Sequence, residues 1–177
     1  MSHSLPRPPR PFAGRAERLV ADSEPAPLEL DRAPHHAPNV VVIMLDDVGF
    51  GTFGTFGGPV PTPVLDELAR NGLKYNQFHT TALCSPTRAA LLTGRQHHSV
   101  HMGGIPEGAN TFPGYDSVIP KSAASVAEIL KQNGYATGCF GKWHLTPVWE
   151  QGPAGPFDRW PTGMGFERFY GILNAES

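Results

Sequence analysis

The apolar residues of this chain form short runs between turn-forming residues, and their spacing predicts alternating strands and helices. VVVIML (40–45) is a continuous run of β-branched and apolar residues, which is typical of a parallel strand buried on both faces. Apolar positions at helical spacing predict two helices, and shorter apolar runs predict two more strands. The helices are predicted over 63–71 and about 123–133, and the strands over 74–79 and 135–140.

A further helix is predicted to begin within the run CSPTRAALLTGR (84–95). Ser85 is a good N-cap, a proline follows at the first helical position, and Gly94 can end the helix. Cys84 is then placed at the positive end of the helix dipole, beside the fixed charge of Arg88, where an anion would be favoured. From the residues alone, a buried structural cysteine at a helix cap is the alternative.

Alternation of strands and helices predicts an α/β fold. In an open parallel sheet, ligands collect outside the carboxyl ends of the strands. Asp46, Asp47, Cys84, Lys142 and His144 each follow a predicted strand or begin the helix after it. We therefore expect these side chains to converge on one crevice.

Two of these groups have a distinctive chemistry. Adjacent carboxylates at Asp46 and Asp47 repel each other unless a cation or hydrogen-bond donors compensate, and they suit a hard divalent ion. A strand-to-loop junction capped by backbone N–H groups is the alternative.

Lys142 and His144 are two residues apart, so both side chains can face one anion if the chain stays extended. A solvated lysine and an ordinary surface histidine are the alternative there.

Two motifs carry a resemblance to a known family. The run at 84–95 matches the first signature of the type I sulfatases, Cys-x-Pro-x-Arg followed by Leu-x-Thr-Gly-Arg. GYATGCFGKWH (134–144) matches the second signature at every fixed position. The resemblance extends from residue 39 to about 172, and segments such as FHTTAL (78–83) are similar to the long bacterial arylsulfatases in particular.

The resemblance implies an α/β alkaline-phosphatase-like fold, with a mostly parallel central sheet flanked by helices. Residues 39–177 would be the N-terminal portion of such a catalytic domain. Residues 1–38 are rich in Pro, Ala, Arg and Glu, which predicts a flexible arm. The family's later metal ligands and its further His and Lys cannot be assigned in this sequence. We therefore expect the chain to be an incomplete, truncated sulfatase that is inactive on its own and has no strand after His144.

The same resemblance implies a function, the hydrolysis of sulfate esters by an arylsulfatase. Cys84 would be oxidised by a separate formylglycine-generating enzyme to the aldehyde formylglycine, whose hydrate is the nucleophile. Asp46, Asp47 and the modified Cys84 would bind a divalent metal, with Ca²⁺ expected and Mg²⁺ as the alternative. A phosphate or phosphonate monoester hydrolase of the same superfamily is the competing enzyme, and a truncated product without turnover is the non-enzymatic alternative.

Roles for three further residues follow from the resemblance. Arg88 would stabilise the hydrate, Lys142 would bridge formylglycine and sulfate, and His144 would hydrogen-bond the formylglycine hydroxyl. A metal lowers the pKa of a coordinated hydroxyl, and cationic side chains offset charge that develops in the transition state. Small sulfate esters are thus the expected substrates.

Composition and charge narrow the classes of partner and the cellular location that we expect. The 177 residues carry a formal net charge of −2, which favours neither nucleic acid nor an anionic membrane as a partner. No apolar segment is long enough for a membrane span, and the arginines near the N-terminus precede no signal-peptide core, so a cytoplasmic location is expected. Cys139 is expected to be a small core residue. His79 is expected to be structural, and the histidines 97, 98 and 101 are expected to be loop residues.

Overall fold

The computed structural model describes residues 11–27 and 32–176. These ranges contain three α-helices, two β-strands and several short 3₁₀ turns. The helices are α1 (Pro63–Asn71), α2 (Cys84–Thr93) and α3 (Val126–Gln132), and the strands are β1 (Gly138–Lys142) and β2 (Arg168–Ile172). The 3₁₀ turns are Val20–Asp22, Phe50–Thr52, Gly54–Phe56, His97–Val100, Pro106–Gly108 and Val148–Glu150.

Strands β1 and β2 form a parallel pair in which Gly138 faces Arg168 and Lys142 faces Ile172. The predicted strand at 135–140 begins three residues too early and ends two too soon. The expectation that no strand follows His144 is wrong. β2 lies among proline- and glycine-rich turns, where its short RFYGI sequence gives little periodicity.

The two strands approach each other very closely at a pair of glycines. Gly141 and Gly171 are opposite each other in the register. A Cβ atom at Gly171 would collide with the carbonyl oxygen of Gly141. Gly141 also has a φ of 96°, in the left-handed region that glycine adopts without strain. The parallel pair therefore requires a residue without a side chain at position 171.

The hydrophobic core lies between α2, the residues after β1 and the intervening loops. It excludes water from the backbone that continues β1 toward the candidate site, because Trp143 and Leu145 are both fully or almost fully buried. The buried core residues are Ala89, Val100, Met102, Ile119, Ala123, Trp143 and Leu145.

The predicted helices are confirmed, with differences at their ends. α1 has the predicted bounds, and its N-cap residue Thr62 makes no side-chain capping bond. α3 is shorter than predicted and is capped by Ser125, whose hydroxyl accepts from the N–H of Glu128. α2 ends as expected at Gly94, which has a φ of 64°.

Two predicted strands are wrong. Residues 40–45 and 74–79 form no ladder in the described part of the chain. Five of the six side chains at 40–45 are branched apolar residues that are more than half exposed, Ile43 reaching 83%. A strand becomes regular by pairing with a neighbour. No backbone hydrogen bond joins 40–45 to another described residue, so the apolar run stays extended without a ladder.

The predicted N-terminal arm lies partly outside the described residues, since 1–10 and 28–31 are not covered. Residues 11–27 contain an antiparallel bridge, in which Arg15 and Glu24 exchange two backbone hydrogen bonds of 2.8 Å. The N–H of Ala33 donates to the carbonyl of Gly134 at 2.9 Å. The domain boundary at residue 38 stays a prediction.

An ion pair fixes the segment after β1. Arg159 Nη1 donates to Glu150 Oε1 at 2.6 Å, and the Glu150 side chain is only 4% exposed. The carbonyl of Arg159 also accepts from the Trp143 indole and the Thr146 hydroxyl, each at 2.9 Å. Arg159 thus neutralises a buried charge and holds the backbone on either side of His144.

Arg159→Met is therefore expected to lower the free energy of unfolding by about 3–5 kcal/mol, because it leaves the Glu150 carboxylate buried and unpaired. Urea unfolding followed by circular dichroism measures the change. Arg70→Met is the matched control, since Arg70 pairs with Glu67 on an exposed helix surface and should cost within about 0.5 kcal/mol. Equal effects of the two variants would contradict this account of the buried pair.

Candidate active site

The N-terminus of α2 places Cys84 next to the backbone that follows β1. Cys84 is the first helical residue and Leu83 is the N-cap, so the prediction that Ser85 caps the helix is wrong. Ser85 is instead fully buried, and its hydroxyl donates to the carbonyl of His144 at 2.6 Å. This bond ties the start of the helix to the segment that carries the histidine.

His144 is buried and bonded at every polar atom. Its N–H donates to the carbonyl of Leu173 at 3.0 Å, which extends the pairing of β1 and β2. Its Nδ1 lies 3.0 Å from Sγ of Cys84, and its Nε2 lies 2.9 Å from Oε2 of Glu107. The φ of His144 is 52°, in the left-handed region, so the chain does not stay extended here. Lys142 and His144 therefore reach the site from different directions.

A second cluster joins Asp46 to two cations. Lys142 Nζ lies 2.7 Å from Oδ2 of Asp46, and Arg88 Nη2 lies 3.3 Å from Oδ1. The guanidinium of Arg88 also donates to the carbonyl of Lys142. Both cationic side chains are more than four-fifths buried, so they are screened by solvent only in part.

The pKa values of this cluster respond to the ion pairs. The hydrogen bond from Lys142, with a smaller contribution from Arg88, lowers the pKa of Asp46 despite some burial. Burial opposes the charged form of Lys142, but the bond to Asp46 and the nearby negative charges raise the pKa of this lysine. Both groups are therefore charged at neutral pH, and the cluster presents an ion pair beside Cys84.

Glu107 belongs to the site but was missed in the sequence. It lies in the 3₁₀ turn Pro106–Gly108, and no motif or periodic spacing marks it. Partial burial raises the pKa of Glu107, but hydrogen bonds from His144 and from its own backbone N–H, with the nearby positive charge of Lys142, lower it overall. An ionised carboxylate therefore faces Nε2 of His144.

The donor set for a metal is only partly present. Asp46 and Asp47 supply the hard oxygen ligands that Ca²⁺ and Mg²⁺ prefer. Asp47 is exposed and has a φ of 52°, so its side chain departs from the direction of its neighbour. Across residues 11–27 and 32–176, no three His, Cys, Asp or Glu side chains are grouped so as to hold a metal ion. The carboxylates thus fit a hard cation chemically but form no complete ligand cluster.

The histidines after α2 are bonded to protein groups. Nδ1 of His97 lies 3.0 Å from the carbonyl of Met102, and Nε2 of His98 lies 3.0 Å from the Tyr115 hydroxyl. His101 has a φ of 67°, a conformation that favours glycine. His97 and His98 lie in the 3₁₀ turn His97–Val100 rather than in an irregular loop, and His101 follows that turn. His79, which is expected to be structural, is exposed.

Cys139 differs from Cys84 in its surroundings. It is partly buried against the hydrophobic core, as expected, and burial raises the pKa of its thiol more than the charge of Arg88 lowers it. Its thiol is therefore mostly protonated at neutral pH. Of the two cysteines, only Cys84 has a histidine nitrogen at hydrogen-bond distance among the described residues.

The parallel strand pair, the helices and the side chains grouped beyond the end of β1 give an α/β arrangement that agrees with the predicted alkaline-phosphatase-like class. A family model described as Sulfatase matches residues 38–177. The chain belongs to the sulfatase family, as the two signatures predict.

Similar proteins agree with this assignment. Human arylsulfatase A is 44% identical over 137 residues, which are 76% of this chain and 25% of that protein. The mouse steryl-sulfatase is 38% identical over 176 residues, which cover 95% of this chain and 27% of that protein. This chain thus spans about a quarter of the length of the curated relatives that it matches.

Solved structures support the fold. The crystal structure of Ps i-CgsB aligns with a TM-score of 0.53 and 28% identity, covering 73% of this chain and 27% of that one. A structure from work on glycosaminoglycan metabolism by Bacteroides thetaiotaomicron aligns with a TM-score of 0.52 and 32% identity, covering 72% and 26%. The predicted α/β sulfatase fold is confirmed. None of the helices in the described ranges has the length and apolarity needed to cross a membrane.

Proposed function

We propose that this chain carries the nucleophile and the anion-binding residues of an arylsulfatase that hydrolyses sulfate monoesters. The observation that carries the proposal is the grouping of Cys84 with His144 on one side and of Arg88 with Lys142 on the other. The two groups are joined by short contacts, since Arg88 bonds the carbonyl of Lys142 and Ser85 bonds the carbonyl of His144. They therefore form a single site.

The residue at position 84 is the proposed nucleophile. After conversion to formylglycine by a maturation enzyme, one hydroxyl of the hydrated aldehyde would attack sulfur and expel the alcohol or phenol. The second hydroxyl would then lose its proton and re-form the aldehyde as the bond to the sulfate group breaks and sulfate leaves. The resemblance associates this conversion with the signature Cys-x-Pro-x-Arg, which the chain supplies as CSPTR (84–88). Nδ1 of His144 lies at 3.0 Å from Sγ and is placed to hydrogen-bond a hydroxyl at the same position.

The cationic side chains are proposed to bind the sulfate group and the modified residue. Lys142 would bridge the sulfate and residue 84, and Arg88 would stabilise residue 84 from the other side. Fixed cations in a partly buried site stabilise charge that develops in the transition state, because they need not reorganise when it forms. The short bonds from Arg88 and Lys142 to neighbouring groups hold them in place before substrate arrives.

Asp46, Asp47 and residue 84 are the proposed protein ligands of a divalent metal, with Ca²⁺ favoured and Mg²⁺ as the alternative. Such an ion would lower the pKa of a hydroxyl and neutralise sulfate oxygens. Asp46 also pairs with Lys142 and Arg88, so two positive charges compensate this carboxylate.

The test compares para-nitrophenyl sulfate with para-nitrophenyl phosphate as substrates. It uses the complete translated product of the gene, co-expressed with a formylglycine-generating enzyme and supplied with excess Ca²⁺. Sulfate hydrolysis well above that of the Cys84→Ala control, and faster than phosphate hydrolysis, is expected. Faster phosphate hydrolysis would favour the phosphate monoester hydrolase, and no turnover above the control would favour a non-catalytic product.

A further inference from the structure

Glu107 lies outside both sulfatase signatures but contacts His144, the last residue of the second one. Glu107 lies 37 residues before His144, in a 3₁₀ turn, and its carboxylate reaches across the site to Nε2 at 2.9 Å. The carboxylate is 40% exposed on its outer side, whereas the imidazole is 1% exposed. Glu107 thus supplies the polar partner of a histidine atom that is otherwise enclosed.

The backbone of His144 is fixed, but its ring has a remaining freedom. The N–H bonds Leu173 and the carbonyl accepts from Ser85, so the main chain cannot shift easily. The ring can still turn over about its Cβ–Cγ bond, which would exchange nitrogen and carbon atoms at both edges. A partner at the far edge is needed to select one orientation.

A carboxylate can only accept a hydrogen bond, so Nε2 of His144 must carry the proton in this contact. In the neutral ring, Nδ1 is then unprotonated and can accept from the group at position 84. We infer that Glu107 is a positioning residue, which fixes the orientation and tautomer of His144 so that its unprotonated Nδ1 faces residue 84. The contact between Glu107 and His144 would direct Nδ1 in the same way toward the thiol of Cys84 and toward a hydroxyl that replaces it.

This inference rests on the proposed function for its catalytic consequence but not for its geometry. When residue 84 carries a hydroxyl, the O–H donates to Nδ1, which orients the oxygen. A ring that turns over would place a carbon atom there instead and lose the bond. Loss of Glu107 should therefore affect kcat while leaving the binding of the sulfate ester to Lys142 unchanged.

Two measurements test the inference in wild type, Glu107→Ala and Glu107→Gln. Nitrogen NMR with isotope-labelled histidines on the 177-residue chain reports the tautomer of His144, assigned with His144→Asn. The signals should show protonated Nε2 in wild type and a mixture of tautomers in Glu107→Ala. In the converted complete gene product, Glu107→Ala should lose about 10- to 100-fold in kcat, which is no more than the contribution of about 10²- to 10⁴-fold that a positioned acid or base makes. KM should change less than about twofold.

Glu107→Gln keeps the length and an accepting oxygen, so it should recover part of the loss in kcat. The matched control is Asp116→Asn, which alters a second histidine–carboxylate contact, that of His101 at 3.0 Å, away from residue 84. It should leave kcat unchanged. An unchanged His144 tautomer or an unchanged kcat in Glu107→Ala would overturn the inference. If wild type hydrolyses no sulfate ester, the proposed function fails and the NMR result alone decides the role of Glu107.

Discussion

Asp46→Asn is expected to reduce the turnover of an aryl sulfate by at least about 100-fold and to lower bound Ca²⁺ in the purified enzyme. Outer partners of metal ligands already contribute about 10- to 100-fold, so the loss of a proposed ligand should cost no less. The substitution also removes the negative charge that Lys142 and Arg88 contact at 2.7 and 3.3 Å. Two cations would then lie together without a counter-ion.

Asp47→Asn separates these two effects. Asp47 is exposed and is not one of the carboxylates paired with Lys142 or Arg88. It should lower bound Ca²⁺ and turnover without releasing Lys142. Metal content by atomic emission and hydrolysis of para-nitrophenyl sulfate are measured on the same preparations of the complete gene product.

The control for these variants is Asp158→Asn. Asp158 pairs with Lys121 at 2.8 Å, which reproduces the Asp46–Lys142 contact at an exposed position away from the site. It should retain wild-type turnover and metal content. Full activity with normal Ca²⁺ in both Asp46→Asn and Asp47→Asn would show that the two carboxylates only end the apolar segment before them.

The second large expected effect is the conversion of Cys84 to formylglycine. Co-expression with a formylglycine-generating enzyme is expected to convert the residue to an aldehyde in a major fraction of molecules, because the run at 84–88 supplies the local sequence that the resemblance associates with maturation. Mass spectrometry of the tryptic peptide 75–88, with and without an aldehyde-specific reagent, measures the fraction converted.

Cys139 provides an internal control within the same digest. It has no proline or arginine at the spacing found after Cys84, and it packs against the core. Its tryptic peptide should keep a thiol. A thiol at Cys84 in every copy would remove the proposed nucleophile, whereas conversion at both cysteines would mean that the local sequence does not direct the reaction.

The grouping of Cys84, Arg88, Lys142 and His144 could be anticipated because each belongs to a dense local motif. Chemistry restricts the residue types within such a motif, so the sequence itself carries the signal. Glu107 has no such context. It reaches His144 only because the loop after α2 folds back across the site, and that path depends on contacts distant in sequence.

The helices were predicted better than the strands for a related reason. Hydrogen bonds within α1 and α2 are local, and their stop signals are neighbouring residues. A strand depends on a partner elsewhere in the chain. The run at 40–45 has the composition of a buried strand but no described partner, and β2 has a partner but a weak pattern.

The glycine pair between β1 and β2 extends the functional region beyond the reactive side chains. The amides of Trp143 and His144 donate to the carbonyls of Ile172 and Leu173, directly after Gly171. A methyl group at position 171 would collide with the carbonyl of Gly141 and push the strands apart. The displacement would pass along those two amides to the imidazole. Inactivating substitutions should therefore also occur at residues that never contact substrate. The absence of a side chain at position 171 is as necessary to the position of His144 as the hydrogen bonds of His144 itself.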